Sequence, residues 1–191
     1  MTQQMATTVV EEIFRLYEKF GASDYIGEPV SQLEHMCQAA QLAEQEGYAD
    51  DIVLAAFFHD LGHLCSFSEP VQQMDGYGAA NHEKIAGDFL RSRGFSEKIA
   101  SLVEGHVAAK RYLTAKDPHY LQRLSEASLA TLEKQGGPMS KAEMEQFSND
   151  SLFTLHIKIR EWDDAAKREN QPLPSLDHYR TMAIRHLLSR N

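Results

Sequence analysis

Residues 51–65 read Asp51-Ile-Val-Leu-Ala-Ala-Phe-Phe-His-Asp-Leu-Gly-His-Leu-Cys65 and form the most informative segment of the chain. Its apolar residues recur at helical spacing, which predicts one continuous buried helix. The pair His59-Asp60 lies inside that helix. A buried imidazole or carboxylate costs free energy unless it is paired or bound to a metal. The pair therefore points to an interior metal site.

Neighbouring residues on a helix point about 100° apart, so His59 and Asp60 suit two metal ions, with the carboxylate between them. A single His-Asp pair is common, and alone it would be interpreted as a satisfied core histidine. Further candidate ligands lie in or at the ends of other apolar helical stretches, namely His35, His82, His106 and Asp163. Together they predict a dinuclear site of nitrogen and oxygen ligands, which iron, manganese and zinc all accept.

Helical periodicity continues along the chain. Helices are predicted over residues 7–20, 30–46, 51–65, 82–93, 96–109, 119–124, 125–134, 140–147, 151–166 and 176–188. Start and stop signals support them, such as the capping box Ser140-x-x-Glu143 and the glycines Gly47 and Gly94. The predicted fold class is all-α, a single domain over 1–191 with an N-terminal helix in 1–22 and a metal-binding core in 23–191.

Composition narrows the possible functions. The formal net charge of -9 argues against a general nucleic-acid binder, although a local basic pocket could still hold a small anion. No apolar run is long enough to span a bilayer, and the N-terminus shows no secretory pattern. Cys37 and Cys65 form no CxxC pair. We therefore expect a cytoplasmic protein, with no membrane association and no obligate protein partner.

Helical spacing predicts a second layer around the metal site. His63 follows His59 by four residues and should share its helix face. The same reasoning brings Lys110, four residues after His106, and Arg160, three residues before Asp163, inward, and Ser128 and Thr131 lie one turn apart on another helix. Such a rim suits a phosphate-like or carboxylate group. The alternative is that Lys110 and Arg160 are solvated surface cations.

The ligand pattern resembles the H...HD...D pattern of the HD-domain superfamily. Longer segments resemble the HD-domain mixed-valent diiron oxygenases that cleave carbon–phosphorus bonds, namely Asp24-Tyr-Ile-Gly-Glu28, Gln32-Leu-Glu-His35, His59-Asp-Leu-Gly-His63, Gly76-Tyr-Gly78, Asn81-His-Glu-Lys84, Glu104-Gly-His-Val-Ala-Ala-Lys-Arg-Tyr-Leu113, Gln135-Gly-Gly-Pro-Met139 and Lys158-Ile-Arg-Glu-Trp-Asp163. The resemblance runs from about Asp24 to the last helix, and the block around His106 is quite specific.

The resemblance implies a set of residue roles. Two iron ions, an Fe(II)/Fe(III) pair, would be held by His35, His59, Asp60, His82, His106 and Asp163, with Asp60 as the bridge. Asp164 is a rival that periodicity cannot separate from Asp163, but the family pattern favours Asp163. The phosphonate would be bound by His63, Lys110, Ser128 and Arg160. Tyr25 would occupy an iron position until substrate displaces it, and Glu28 would lie near the substrate amine; otherwise the two residues form an ordinary turn.

The resemblance also implies an activity: O2-dependent cleavage of 2-amino-1-hydroxyethylphosphonate to glycine and inorganic phosphate. One alternative is the N-trimethylated substrate, which would give glycine betaine. A second is a metal-dependent HD phosphohydrolase, in which the same metals activate water. A non-enzymatic regulatory module is disfavoured because the sequence shows no separate effector domain.

Overall fold

The computed structural model describes residues 1–25, 27–67, 72, 74 and 78–190. Ile26 of the Tyr25 segment and Gly76 and Tyr77 of the glycine-rich motif lie outside these residues. Within the described chain the α-helices are α1 Gln3–Phe20, α2 Gln32–Gln45, α3 Asp50–Phe58, α4 Leu61–Ser66, α5 His82–Ser92, α6 Glu97–Lys116, α7 Pro118–Arg123, α8 Glu126–Lys134, α9 Lys141–Ser148, α10 Phe153–Ala165 and α11 Leu176–Leu188. The predicted all-α class is confirmed.

Local signals set most helix ends. Ser140 and Glu143 form the predicted capping box at α9, and the Ser96 side chain caps α6. Gly47 and Gly94 follow α2 and α5 with φ of 78° and 87°, a left-handed conformation that favours glycine. None of the helices in the described part of the chain is long and apolar enough to cross a membrane.

Three predicted helices differ from the structure by more than two residues, and the first of them, predicted over 7–20, begins at Gln3. The single helix expected over 51–65 is two helices, because α3 ends at Phe58 and α4 begins at Leu61. Asp60, with φ -103° and ψ 11°, departs from helical geometry between them. The helix expected to end at Ala109 continues to Lys116.

The central helices surround the His59-Asp60 junction. Helix α2 packs on α3, α5 packs on both α4 and α6, and α10 contacts α2, α3 and α6. On the other side of α3, the ring of Phe57 stacks between Tyr17 and Tyr179 at centroid distances of 4.6 and 4.4 Å. This aromatic core anchors α3 to the outer helices α1 and α11, so the end of α3 is held in a fixed position.

Candidate metal centre and anion pocket

The Asp60 carboxylate lies between two pairs of histidines. Its Oδ2 atom is 3.5 Å from His35 Nε2 and 3.4 Å from His59 Nε2. Its Oδ1 atom is 3.2 Å from His82 Nε2 and 3.5 Å from His106 Nε2. The two carboxylate oxygens therefore face different pairs, which is the arrangement that a bridging ligand requires.

Each pair brings two imidazole nitrogens together. His35 Nε2 lies 3.0 Å from His59 Nε2, and His82 Nε2 lies 3.0 Å from His106 Nε2. The opposite nitrogen of three of these rings faces a backbone carbonyl: Ala166 O for His35, Ala56 O for His59 and Val103 O for His106. These bonds require a proton on Nδ1 and leave Nε2 free to bind a metal.

Asp163 completes the first group. Its Oδ1 atom is 3.4 Å from His35 Nε2 and 3.9 Å from His59 Nε2. Asp163 Oδ1 and Asp60 Oδ2 are buried, and neither has a hydrogen-bond partner among the described residues. Buried carboxylate oxygens without donors are costly unless a cation satisfies them, so this donor set fits a bound metal ion.

The electrostatics favour positive charge at this position. Burial lowers the pKa of His35, but the carboxylates of Asp163 and Asp60 outweigh it and raise the pKa to about 9. Burial likewise opposes ionisation of Asp60, yet the surrounding histidines hold the pKa of its carboxyl well below the usual range. A site that stabilises cationic groups beside ionised carboxylates is suited to hold metal cations.

His63 lies beside this cluster, although it does not share a helix face with His59 as its spacing predicted. The break at Asp60 removes the shared helix face expected with His59. Instead the His63 ring stacks on His82 at 4.1 Å, and ligand atoms of Asp60, His63 and His82 lie within 4.8 Å of one another. His63 Nδ1 accepts the Ala79 backbone N–H at 3.3 Å. In the neutral ring Nε2 then carries the proton, so in this geometry His63 can donate a hydrogen bond to an anion.

A cavity opens beside the metal centre, and two buried cations line it. Lys110 and Arg160 are each 3% exposed, which overturns the alternative that they are solvated surface cations. Lys110 Nζ donates to Thr131 Oγ1 at 2.9 Å. Burial and the positive charge of Arg160 lower the pKa of Lys110 to about 7. Ser128 lines the same cavity, so the structure brings together the four residues expected to bind the anion.

Arg160 is fixed by three acceptors. Nη1 pairs with Asp163 Oδ2 at 2.8 Å, Nη2 pairs with Asp164 Oδ1, and Nε donates to the Tyr120 hydroxyl at 3.0 Å. Tyr120 in turn donates to Asp164 Oδ2 at 2.5 Å. The two adjacent aspartates thus have different environments, with Asp163 facing the histidines and Asp164 holding the guanidinium from the other side.

Tyr25 and Glu28 also line the cavity. The Tyr25 ring stacks on His35 at a centroid distance of 3.9 Å and an angle of 13°. Burial raises the pKa of the Tyr25 hydroxyl well above its usual value, and the charges of Asp60 and Asp163 reinforce this shift. Glu28 Oε1 accepts from Lys167 Nζ at 2.6 Å. The stacking contact places the Tyr25 ring beside the His35 side of the metal centre, and Glu28 lies in an ion pair farther along the cavity wall.

Sequence reasoning missed Tyr120 and Lys167. No local pattern marks Tyr120, because its contact with Arg160 joins residues 40 positions apart. The role of Asp164 as an ion-pair partner could have been found, since it follows Arg160 by four residues.

Comparisons with known proteins agree with this geometry. A family model of the HD domain matches residues 32–138, more than half of the chain. A 1-hydroxy-2-(trimethylamino)ethylphosphonate dioxygenase (glycine-betaine-forming) from Leisingera caerulea is 38% identical over 177 residues, covering 93% of this chain and 89% of that protein. The chain belongs to the HD-domain phosphonate dioxygenases.

Other relatives extend this group. A hydroxymethylphosphonate dioxygenase from Gimesia maris is 34% identical over 172 residues, covering 90% of this chain and 85% of that protein. An uncharacterized protein of Acanthamoeba polyphaga mimivirus is 48% identical over 178 residues, covering 93% of this chain and 81% of that one. Membership among the HD-domain phosphonate dioxygenases makes the chain an oxidoreductase, and it favours the expected oxygenase over the phosphohydrolase.

Proposed function

We propose that this chain uses O2 and two iron ions, an Fe(II)/Fe(III) pair, to cleave the carbon–phosphorus bond of 2-amino-1-hydroxyethylphosphonate, giving glycine and inorganic phosphate. The observation that carries the proposal is the Asp60 carboxylate between two histidine pairs, beside a cavity lined by buried Lys110 and Arg160. The relatives' dioxygenase names support the reaction class.

In this proposal two groups of side chains hold the metals. His35, His59 and Asp163 would hold one ion, His82 and His106 would hold the other, and the Asp60 carboxylate would be shared between them. When bound, the metals supply Lewis acidity and the electrons for dioxygen chemistry. This set of nitrogen and oxygen ligands accepts both iron and manganese. The proposal names iron because the family that the chain resembles uses iron.

The chain's own residues bind and orient the substrate. Arg160 presents a planar guanidinium and Lys110 an ammonium to the phosphonate oxygens, so both neutralise its charge. His63 donates from Nε2, and Ser128, which lines the same cavity, offers a hydroxyl. Because these groups are buried, their attraction for an anion is stronger than it would be in water.

The other end of the substrate meets the Tyr25 segment. Glu28 supplies a carboxylate for the substrate ammonium, and Tyr25 covers the His35 side of the metal centre until substrate enters. Two other substrates are favoured by the relatives' names, the N-trimethylated analogue and hydroxymethylphosphonate.

The test is phosphate release by iron-loaded protein from these three compounds, with and without oxygen. We expect release only with oxygen, fastest from 2-amino-1-hydroxyethylphosphonate. Faster release from another compound would reassign the substrate. Absence of oxygen-dependent release from all three, with anaerobic hydrolysis of a phosphate ester, would replace the oxygenase with the hydrolase.

A further inference from the structure

The acidic residues that line the cavity have different surroundings. Among the described lining residues the carboxylates are Glu28, Asp60 and Asp163. Asp60 and Asp163 face the histidines, so Glu28 alone of these three stands apart from the metal centre. An aminated phosphonate whose anionic end meets Lys110 and Arg160 has Glu28 as its partner for the ammonium.

Glu28 already has a cationic partner. Lys167 Nζ lies 2.6 Å from Glu28 Oε1, and the side chains are only 15% and 9% exposed. Lys167 Nζ also lies 3.4 Å from Ser125 Oγ, at the start of α8, and 5.9 Å from the centre of the Tyr25 ring. Since solvent screens such a buried pair weakly, Lys167 cancels much of the charge that Glu28 would present to a substrate.

The fold holds this pair together from both sides. The carbonyl of Ala166 faces His35 Nδ1 at 2.9 Å, and the backbone N–H and C=O of Arg168 bond to the Gln38 side chain at 3.0 and 2.9 Å. The backbone on either side of Lys167 is therefore attached to α2. On the loop side, Gly27 has φ +80°, and a Cβ there would lie 2.8 Å from Ala127 Cβ, so the loop lies against α8.

We infer that Lys167 is a specificity-determining residue: by neutralising Glu28 it lowers the preference of this site for phosphonates that carry a cationic amine over amine-free phosphonates. The inference rests on the proposed function, because it takes the phosphonate to lie against Lys110 and Arg160. Lys167 and the substrate amine would compete for the same carboxylate, that of Glu28. The amine consequently adds less to affinity than an unpaired Glu28 would provide.

The test compares Lys167→Met with the wild type, using 2-amino-1-hydroxyethylphosphonate and hydroxymethylphosphonate. Dissociation constants are measured by calorimetry on iron-loaded protein under argon, and kcat/KM by phosphate release in air. We expect the preference for the aminated compound to rise about tenfold in the variant, the effect of freeing one charge-assisted hydrogen bond. Lys167→Arg keeps the charge and should retain the wild-type preference.

Two further variants make the result specific. Adding Glu28→Gln to Lys167→Met should remove the gain, because the carboxylate that receives the amine is then absent. Lys167→Gln removes the charge while keeping a polar side chain, and it gives the same test if Lys167→Met does not fold. An unchanged preference in both charge-removing variants would overturn the inference. A lower preference would also overturn it, because Lys167 would then serve to position Glu28.

The two proposals fail in different ways. If wild-type protein releases no phosphate with oxygen, the proposed oxygenase fails, while the binding constants still report on Lys167. If phosphate is released and the preference does not respond to the loss of Lys167, the inference fails alone. If neither phosphonate binds, both are overturned.

Discussion

Replacing Lys110 with methionine should stabilise the metal-free protein at pH 6 while removing phosphonate binding. Lys110 is 3% exposed, and burial together with the nearby Arg160 lowers its pKa to about 7. At pH 6 the folded protein therefore holds a charged ammonium in an unfavourable environment. Methionine fills similar volume without the charge.

The pKa gives the size of this effect. A pKa of about 7 in place of 10.5 corresponds to about 5 kcal/mol of destabilisation when the ammonium is charged. The variant loses the bonds to Thr131 Oγ1 and the Ser128 carbonyl, about 1 kcal/mol each. The expected net gain is about 2 to 3 kcal/mol.

The gain should depend on pH in a definite direction. Above about pH 7 the folded wild type releases the Lys110 proton, while the unfolded chain keeps it up to about 10.5. The unfolded state then binds more protons, so wild-type stability rises relative to the variant. The difference should shrink by about 3 kcal/mol between pH 7 and pH 9.

The difference in the free energy of unfolding between Lys110→Met and the wild type is measured by urea unfolding of chelator-treated protein at pH 6, 7, 8 and 9. Lys84→Met is the matched control, because the Lys84 side chain is 68% exposed, and its difference from wild type should not change in the same way. An equal stability difference at pH 6 and pH 9, or a destabilised variant at pH 6, would refute the reasoning.

Three other changes test separate parts of the site. His59→Ala should lose bound iron, measured by elemental analysis, together with oxygen-dependent phosphate release; wild-type iron content and activity would remove His59 from the ligands. Asp164→Asn should raise KM about tenfold with a smaller change in kcat, because the guanidinium loses one ion pair; an unchanged KM would contradict this. Gly62→Ala should destabilise the protein by about 2 kcal/mol or more, since a Cβ there would lie 1.9 Å from the carbonyl oxygen of His82; a wild-type melting temperature would show that the helices can separate without loss.

Much of the fold could be predicted because its signals are local. The last helix, Leu176–Leu188, lies where periodicity placed it, and the capping box at Ser140 starts α9. The burial of Lys110 and Arg160 could not be predicted. Helical spacing shows which residues share a helix face, but it does not show whether that face is covered by other helices. Tyr120 and Lys167 were missed for a related reason: their partners are far away in sequence, and only the packed structure brings them together.

The interruption after Phe58 was not predictable from local signals either, and the metal centre depends on it. In one continuous helix His59 and Asp60 would point about 100° apart. With Asp60 outside the helical region, its Oδ2 reaches His35 on α2 and His59 just after the end of α3, while its Oδ1 reaches His82 and His106 on α5 and α6. Gly62 then allows the start of α5 to approach α4 closely enough for His82 to meet this carboxylate. The helix break and the glycine thus make two adjacent residues the shared centre of four helices.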